Sequence, residues 1–184
     1  MNAPTKKYST IGCCGIDCGL CPRFYTTGSS ACPGCGGPDF KGKHPSCGFH
    51  TCCALMKGLE ICSQCIEYPC KRFENENISH DSFVTHKRIF PNHEYVRANG
   101  VEGFIDQQRE RVDLLVELLK FFDDGRSKSY FCLAAALLPI GRVVDLKNEL
   151  PRLMGIDELK ERNRRVRGII KQVAENQNIC LCLY

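Results

Sequence analysis

The 184-residue chain has no apolar run long enough to cross a bilayer. Its longest, Tyr130 to Ile140, falls well short of the roughly 20 residues a spanning helix needs. Residues 1–12 are polar, with Lys6 and Lys7 but no apolar segment behind them. No secretory signal is visible, so a cytoplasmic location and no membrane partner are expected. A P-loop, a dinucleotide-binding glycine fingerprint, a G-x-S-x-G elbow and an H-E-x-x-H helix are all missing. With those absences goes any catalytic residue that could be named, and an enzyme is not the expected reading. There is no internal repeat and no low-complexity tract. Large apolar side chains are also scarce between Cys13 and Cys70, so that segment has little with which to build an ordinary core.

What that segment has instead is sulfur. Twelve of the fifteen cysteines lie in it. The spacing runs Cys14-x3-Cys18-x2-Cys21-Pro22, then Cys32-Pro33-Gly34-Cys35-Gly36, Cys47-x4-Cys52 and Cys62-x2-Cys65-x4-Cys70. In a secreted chain this density would predict a disulfide scaffold; in a reducing cytosol it predicts thiolate-bound metal. The C-P-x-C-G turn suits that chemistry. Proline restrains it, and glycine takes the positive φ that aims backbone N–H groups at the sulfurs.

The expected ligands are Cys14, Cys18, Cys21, Cys32, Cys35, Cys47, Cys52, Cys62, Cys65 and Cys70. Cys13 and Cys53 each adjoin another cysteine and read as bystanders, because neighbouring residues rarely share one ion without strain. His50, between Cys47 and Cys52, is an occasional substitute for a thiolate. Ten thiolates exceed the eight that two tetrahedral zinc ions require, and spacing alone does not divide them. Zinc, two ions, is the expected cofactor. An iron–sulfur cluster is the alternative, since it uses the same ligands and also occurs beside Cys-Pro, as in Cys21-Pro22. Cys14-x3-Cys18-x2-Cys21 matches the cluster triad of radical S-adenosylmethionine enzymes, but that chemistry sits in a long βα-repeat barrel and this chain is helical downstream.

Net charge is +4 with histidine neutral. A divalent ion on four thiolates carries about −2, so two such sites would cancel the excess and charge does not argue for nucleic acid.

After Phe73 the composition changes. Glu74-Asn75-Glu76-Asn77 is a polar connector, and Ser79-His80-Asp81 offers caps for a helix containing Phe83, Val84 and Ile89, stopped at Pro91. The helical period is longest over Val101 to Phe122, with Gly125 as the C-cap. An all-apolar helix, Tyr130 to Leu138, reads as the central buried one. Two more follow, at about 141–150 and from an Asp157 cap to about Asn176, punctuated by Pro139, Pro151 and Gly155. Residues 8–12 and 179–183 read as short strands. The expected fold is therefore α+β and mostly helical. An irregular Cys-rich metal-binding module at 8–73 packs on an α-helical module at 79–184 that ends in a short strand.

On these motifs the chain resembles the Cys-rich domain of unknown function 3795 family of bacteria and archaea. The resemblance rests on Cys14-Gly15-Ile16-Asp17-Cys18-Gly19-Leu20-Cys21-Pro22, Cys32-Pro33-Gly34-Cys35 and Cys47-x4-Cys52. It continues in Lys57-Gly58-Leu59-Glu60-Ile61-Cys62-Ser63-Gln64-Cys65 and Tyr68-Pro69-Cys70, with Cys13 and Cys53 as additions. Asp81-Ser82-Phe83-Val84, Asp123-Asp124-Gly125-Arg126 and Phe131-Cys132-Leu133-Ala134 extend it into the helical part. It implies metal binding and no assigned activity.

Elsewhere, Lys160, Arg164, Arg167 and Lys171 form one stripe of the last helix, opposite Leu159, Val166, Ile170 and Val173. A nucleic-acid ridge is one reading. A solvated face with Glu161 pairing Arg165 is the preferred one, because no aromatic residues interleave the basic ones. A protein partner is the other expectation. His80, His86 and His93 read as surface or capping residues, Cys132 as packing, and Cys180 and Cys182 as core filling or a redox pair.

Overall fold

In the computed structural model, residues 3–74 and 80–183 are described. Most of the expected connector and Ser79 lie outside them. The chain divides into two compact units, one running to Ile105 and taking in Leu183, the other Asp106–Cys182.

The protein is mostly helical, and among the described residues there is no strand. The expected strands at 8–12 and 179–183 are irregular, which removes the α+β reading. Their backbone groups bond elsewhere. Ser9 O accepts the Cys35 N–H at 2.9 Å and Thr10 O that of Gly19 at 2.8 Å, so segment 8–12 serves loops rather than a neighbouring strand. At the other end Asn178 turns through a left-handed conformation (φ 53) and Ile179 N–H caps Ala174 O at 2.8 Å.

In the first unit the Cys-rich chain winds through short helices α1 (Phe40–Lys43) and α2 (Gly48–His50), the latter continuing as a π-type turn over Thr51–Met56. Ile11 and Ile61 pack with Val96, Val101 and Phe104 of the long helix α3 (Ile89–Phe121). Residues 80–88 do not form the expected helix. Asp81 Oδ1 instead accepts the His86 N–H at 2.6 Å, holding a turn. Pro91 does not stop a helix but stands in the first turn of α3, where its missing N–H costs nothing. The ladder of α3 breaks at Gly100 (φ 76, ψ 171), a conformation open to glycine.

The second unit holds the remainder of α3 with α4 (Lys128–Leu137), α5 (Ile140–Met154) and α6 (Leu159–Asn176). Leu114, Leu115, Leu118 and Phe122 are fully buried, as are Phe131, Ala134 and Ala135 of α4, so α4 is buried as its sequence predicts. α5 runs through Pro151 to Met154, past the expected end at Leu150. α6 buries Asn163, Val166, Ile170 and Ala174. Among the described residues no helix is long and apolar enough to cross a membrane.

One buried cation closes the end of α4. Arg111 Nη1 donates to Ala135 O (2.6 Å) and Leu138 O (2.8 Å), carbonyls at a helix C-terminus that lack intrahelical donors and carry partial negative charge. Arg111→Leu should lower the unfolding free energy by about 2–4 kcal/mol in urea titrations. A change within error would mean that these carbonyls are satisfied without it.

Candidate metal centre

The C-P-x-C-G turn takes the conformation its composition predicts, with positive φ at Gly34 (79°) and Gly36 (70°). A Cβ on Gly34 would collide with the Ser9 carbonyl, so the turn is pressed against the N-terminal segment. Backbone N–H groups do reach sulfur. Cys13 N–H donates to Cys35 Sγ at 3.4 Å, Ile16 N–H serves Cys14, and the Arg23 and Phe24 N–H groups serve Cys21.

The loop carrying Cys14 and Cys18 is fastened to the start of α3. Asn92 Nδ2 donates to Gly15 O and to Asp17 Oδ2, both at 2.9 Å. His93 Nε2 lies 3.0 Å from Cys14 O, which only accepts, so this nitrogen carries the proton. Gly15 is required here. Its φ is 91°, and a Cβ would stand 2.8 Å from both His93 Nε2 and Ile89 O. His93 is fully buried, not at the surface as its sequence context implied.

The ten expected ligands fall into two sets. Cys14, Cys18, Cys21, Cys32, Cys35 and Cys47 line one cavity of about 150 Å³. Cys52, Cys62, Cys65 and Cys70 line a second of about 30 Å³, with Cys53, Lys57 and Glu67. Within the first set Cys14 lies near Cys35 and Cys47, Cys18 near Cys35 and Cys14, and Cys21 near Cys32. His50 lines neither cavity. It is buried, with Nε2 2.8 Å from Thr5 Oγ1 and its ring against Phe40. His44 lines the first cavity instead.

Cys13 and Cys53, expected as bystanders, are the most deeply buried thiols of this segment, 1% and 2% exposed. Cys35 Sγ lies 3.7 Å from Cys13 Sγ, and Cys53 is hydrogen-bonded both to Cys13 and to Cys62. A string of thiols, Cys35–Cys13–Cys53–Cys62, thus runs from one set to the other. Lys6, also buried, adds positive charge beside Cys13, Cys18, Cys35 and Cys53. Adjacency in sequence pointed away from Cys13 and Cys53, and only their depth reveals their place.

Cys13, Cys14, Cys18, Cys21, Cys35 and Cys53 are held protonated. Burial pushes Cys14 up to about 12 and raises Cys18 and Cys21. Cys35 is raised first by its hydrogen bond with Cys13 and then by burial. Cys65 goes the other way. Lys57 Nζ, 3.0 Å from its sulfur, draws it down. Thirteen of the cysteines are free thiols, and Cys180 and Cys182 form a disulfide rather than filling the core.

The donor chemistry suits a thiophilic metal, but the side chains are not closed around one. Among the described residues no three His, Cys, Asp or Glu side chains are gathered closely enough to hold an ion. Compared with family models, curated proteins and solved structures, the chain matches none.

Two measurements follow from this geometry. Burial pushes His93 down to about 4. Its stabilising contribution is therefore whole above about pH 6.5 and is lost as pH falls toward 4, because the unfolded chain takes up the proton first. Between pH 7 and pH 5 the loss should be about 2 kcal/mol, and His93→Gln should flatten it. An unchanged pH slope in that variant would place the titration elsewhere. In reduced, metal-free protein, iodoacetamide should modify Cys65 ahead of Cys14 and Cys18, and Lys57→Gln should slow Cys65 alone. Even labelling of all three would contradict the Lys57 contact.

Proposed function

We propose that this protein binds metal through cysteine thiolates, with zinc as the ion and a structural role that holds an interaction surface for a protein partner. The observation that carries this reading is the division of the ten motif cysteines between two cavities; Cys52, Cys62, Cys65 and Cys70 are four thiols, the number that one tetrahedral site would take. The first cavity, lined by Cys14, Cys18, Cys21, Cys32, Cys35 and Cys47, would supply the thiolates of the other. Bound zinc would supply the folding energy that this apolar-poor segment lacks. Residues 8–73 are then a metal-clamped module, anchored through Ile11 and Ile61 on the helical residues Val96, Val101 and Phe104. A reducing, cytoplasmic setting would keep the motif thiols available to metal. Of this reading, the resemblance to the domain of unknown function 3795 family implies the metal binding alone.

An iron–sulfur cluster takes the same four-thiolate set, and Cys21, which precedes Pro22, lines the first cavity, so a cluster is the second reading. A visible spectrum and elemental analysis of protein purified without oxygen separate the two. A colourless protein with about two zinc ions is expected. Chelation should then open residues 13–70 to hydrogen exchange, and reloading should release protons from the raised thiols. A brown protein with iron and acid-labile sulfide would replace zinc by the cluster. Protein that takes up neither would overturn both.

A further inference from the structure

The second unit carries a basic groove that the cysteines do not touch. It measures about 490 Å³ and is lined by Asp124, Arg126, Lys160, Asn163, Arg164 and Arg167. The sequence puts Lys160, Arg164 and Arg167 on one stripe of α6. What the stripe does not contain is Arg126, which comes from the loop between α3 and α4.

That loop is built rather than loose. Asn163, buried on α6, donates through Nδ2 to Phe122 O (2.7 Å) and to Ser127 Oγ (2.8 Å). Ser127 Oγ in turn donates to Asp124 Oδ1 (3.0 Å), and Asp123 Oδ1 accepts the N–H groups of Gly125 and Ser127, both at 3.0 Å. This network holds Arg126 beside α6. The cations differ in what occupies them. Glu161 takes the guanidinium of Arg164 at 2.7 and 2.8 Å, and Arg167 stacks on the Tyr130 ring with 4.8 Å to its centroid. Among the described residues neither Arg126 nor Lys160 forms an ion pair. Asp124, the carboxylate inside the groove, has one oxygen committed to the Ser127 hydroxyl and the Arg126 N–H. Four cations against the one carboxylate of Asp124 leave the groove net positive, and their mutual repulsion is relieved by a further anion.

The geometry points to a binding site for a phosphate group in this groove, with Arg126, Lys160 and Arg167 taking the oxyanion and Arg164 contributing charge. Guanidinium forks match phosphate oxygens in pairs, and convergent cations favour a dianion over a carboxylate. A small phosphorylated ligand fits better than a nucleic-acid track. The cations converge from two elements around one concavity, while Lys171, the last member of the stripe, lies outside it and pairs with Glu175 at 3.7 Å. The half-buried aromatic that a base would stack on, Tyr130, is covered by Arg167.

The test is calorimetric titration of the full chain with inorganic phosphate, pyrophosphate, a nucleoside diphosphate and a single-stranded oligonucleotide. Saturable binding of at least one of the first three is expected, weakened about tenfold or more by Arg126→Gln and by Lys160→Gln and unchanged by Lys171→Gln. Pyrophosphate binding as tightly as the diphosphate ester identifies a free ion as the ligand, and tighter binding of the ester identifies an organic phosphate. Either result supports the site. It is overturned if no phosphate probe binds, if Lys171→Gln costs as much as Arg126→Gln, or if the oligonucleotide alone binds.

Discussion

The first unit depends on how one short loop is fastened to the beginning of a helix. Asn92 and His93, consecutive residues of α3, reach the backbone of residues 14 and 15 and the carboxylate of Asp17. They fix the segment that presents Cys14 and Cys18. Because Gly15 has no side chain, the helix comes close enough for those bonds to form. The same approach buries His93 and makes its charged form costly. The two thiols, the backbone that carries them and an uncharged imidazole are therefore adjusted together.

Burial also governs the chemistry of the thiols. At Cys13 and Cys53 the segment uses cysteine as other proteins use valine or alanine, as a small side chain to fill space. Hydrogen bonds with neighbouring thiols, together with burial, keep the protons on. A divalent ion reverses that balance by offering positive charge where solvent offers none. Lys6 is a milder form of the same device, a cation placed beside four thiols. At the rim the requirement falls away, and Cys65 with Lys57 and Glu67 shows the ordinary electrostatics of a surface ion pair.

Features set by neighbouring residues were legible in the sequence. The glycine conformations of the C-P-x-C-G turn, the apolar helix around Phe131 and the amphipathic α6 all follow from local spacing. Features set by distant contacts were not. Pro91 looked like a stop because a proline in a first turn and a proline after a last turn read alike. Residues 8–12 have the composition of a strand but spend their carbonyls on loops. The division of ten cysteines between two cavities, and the depth of Cys13 and Cys53, arise from how loops far apart in sequence meet. Spacing motifs carry no record of that. The basic stripe of α6 was visible, whereas its completion by Arg126 depends on a loop held by Asn163.

The break at Gly100 also bears on how this protein reports its own unfolding. A glycine at φ 76 with open space around it interrupts the hydrogen-bond ladder of α3 near the boundary between the units. Fraying on one side need not travel to the other. Most of the long-helix signal in the far ultraviolet comes from residues beyond that break, whereas the sulfur chemistry lies before it. A melting curve followed by circular dichroism is therefore chiefly a reading of the second unit, and the fate of the cysteines has to be followed by their own absorbance or reactivity.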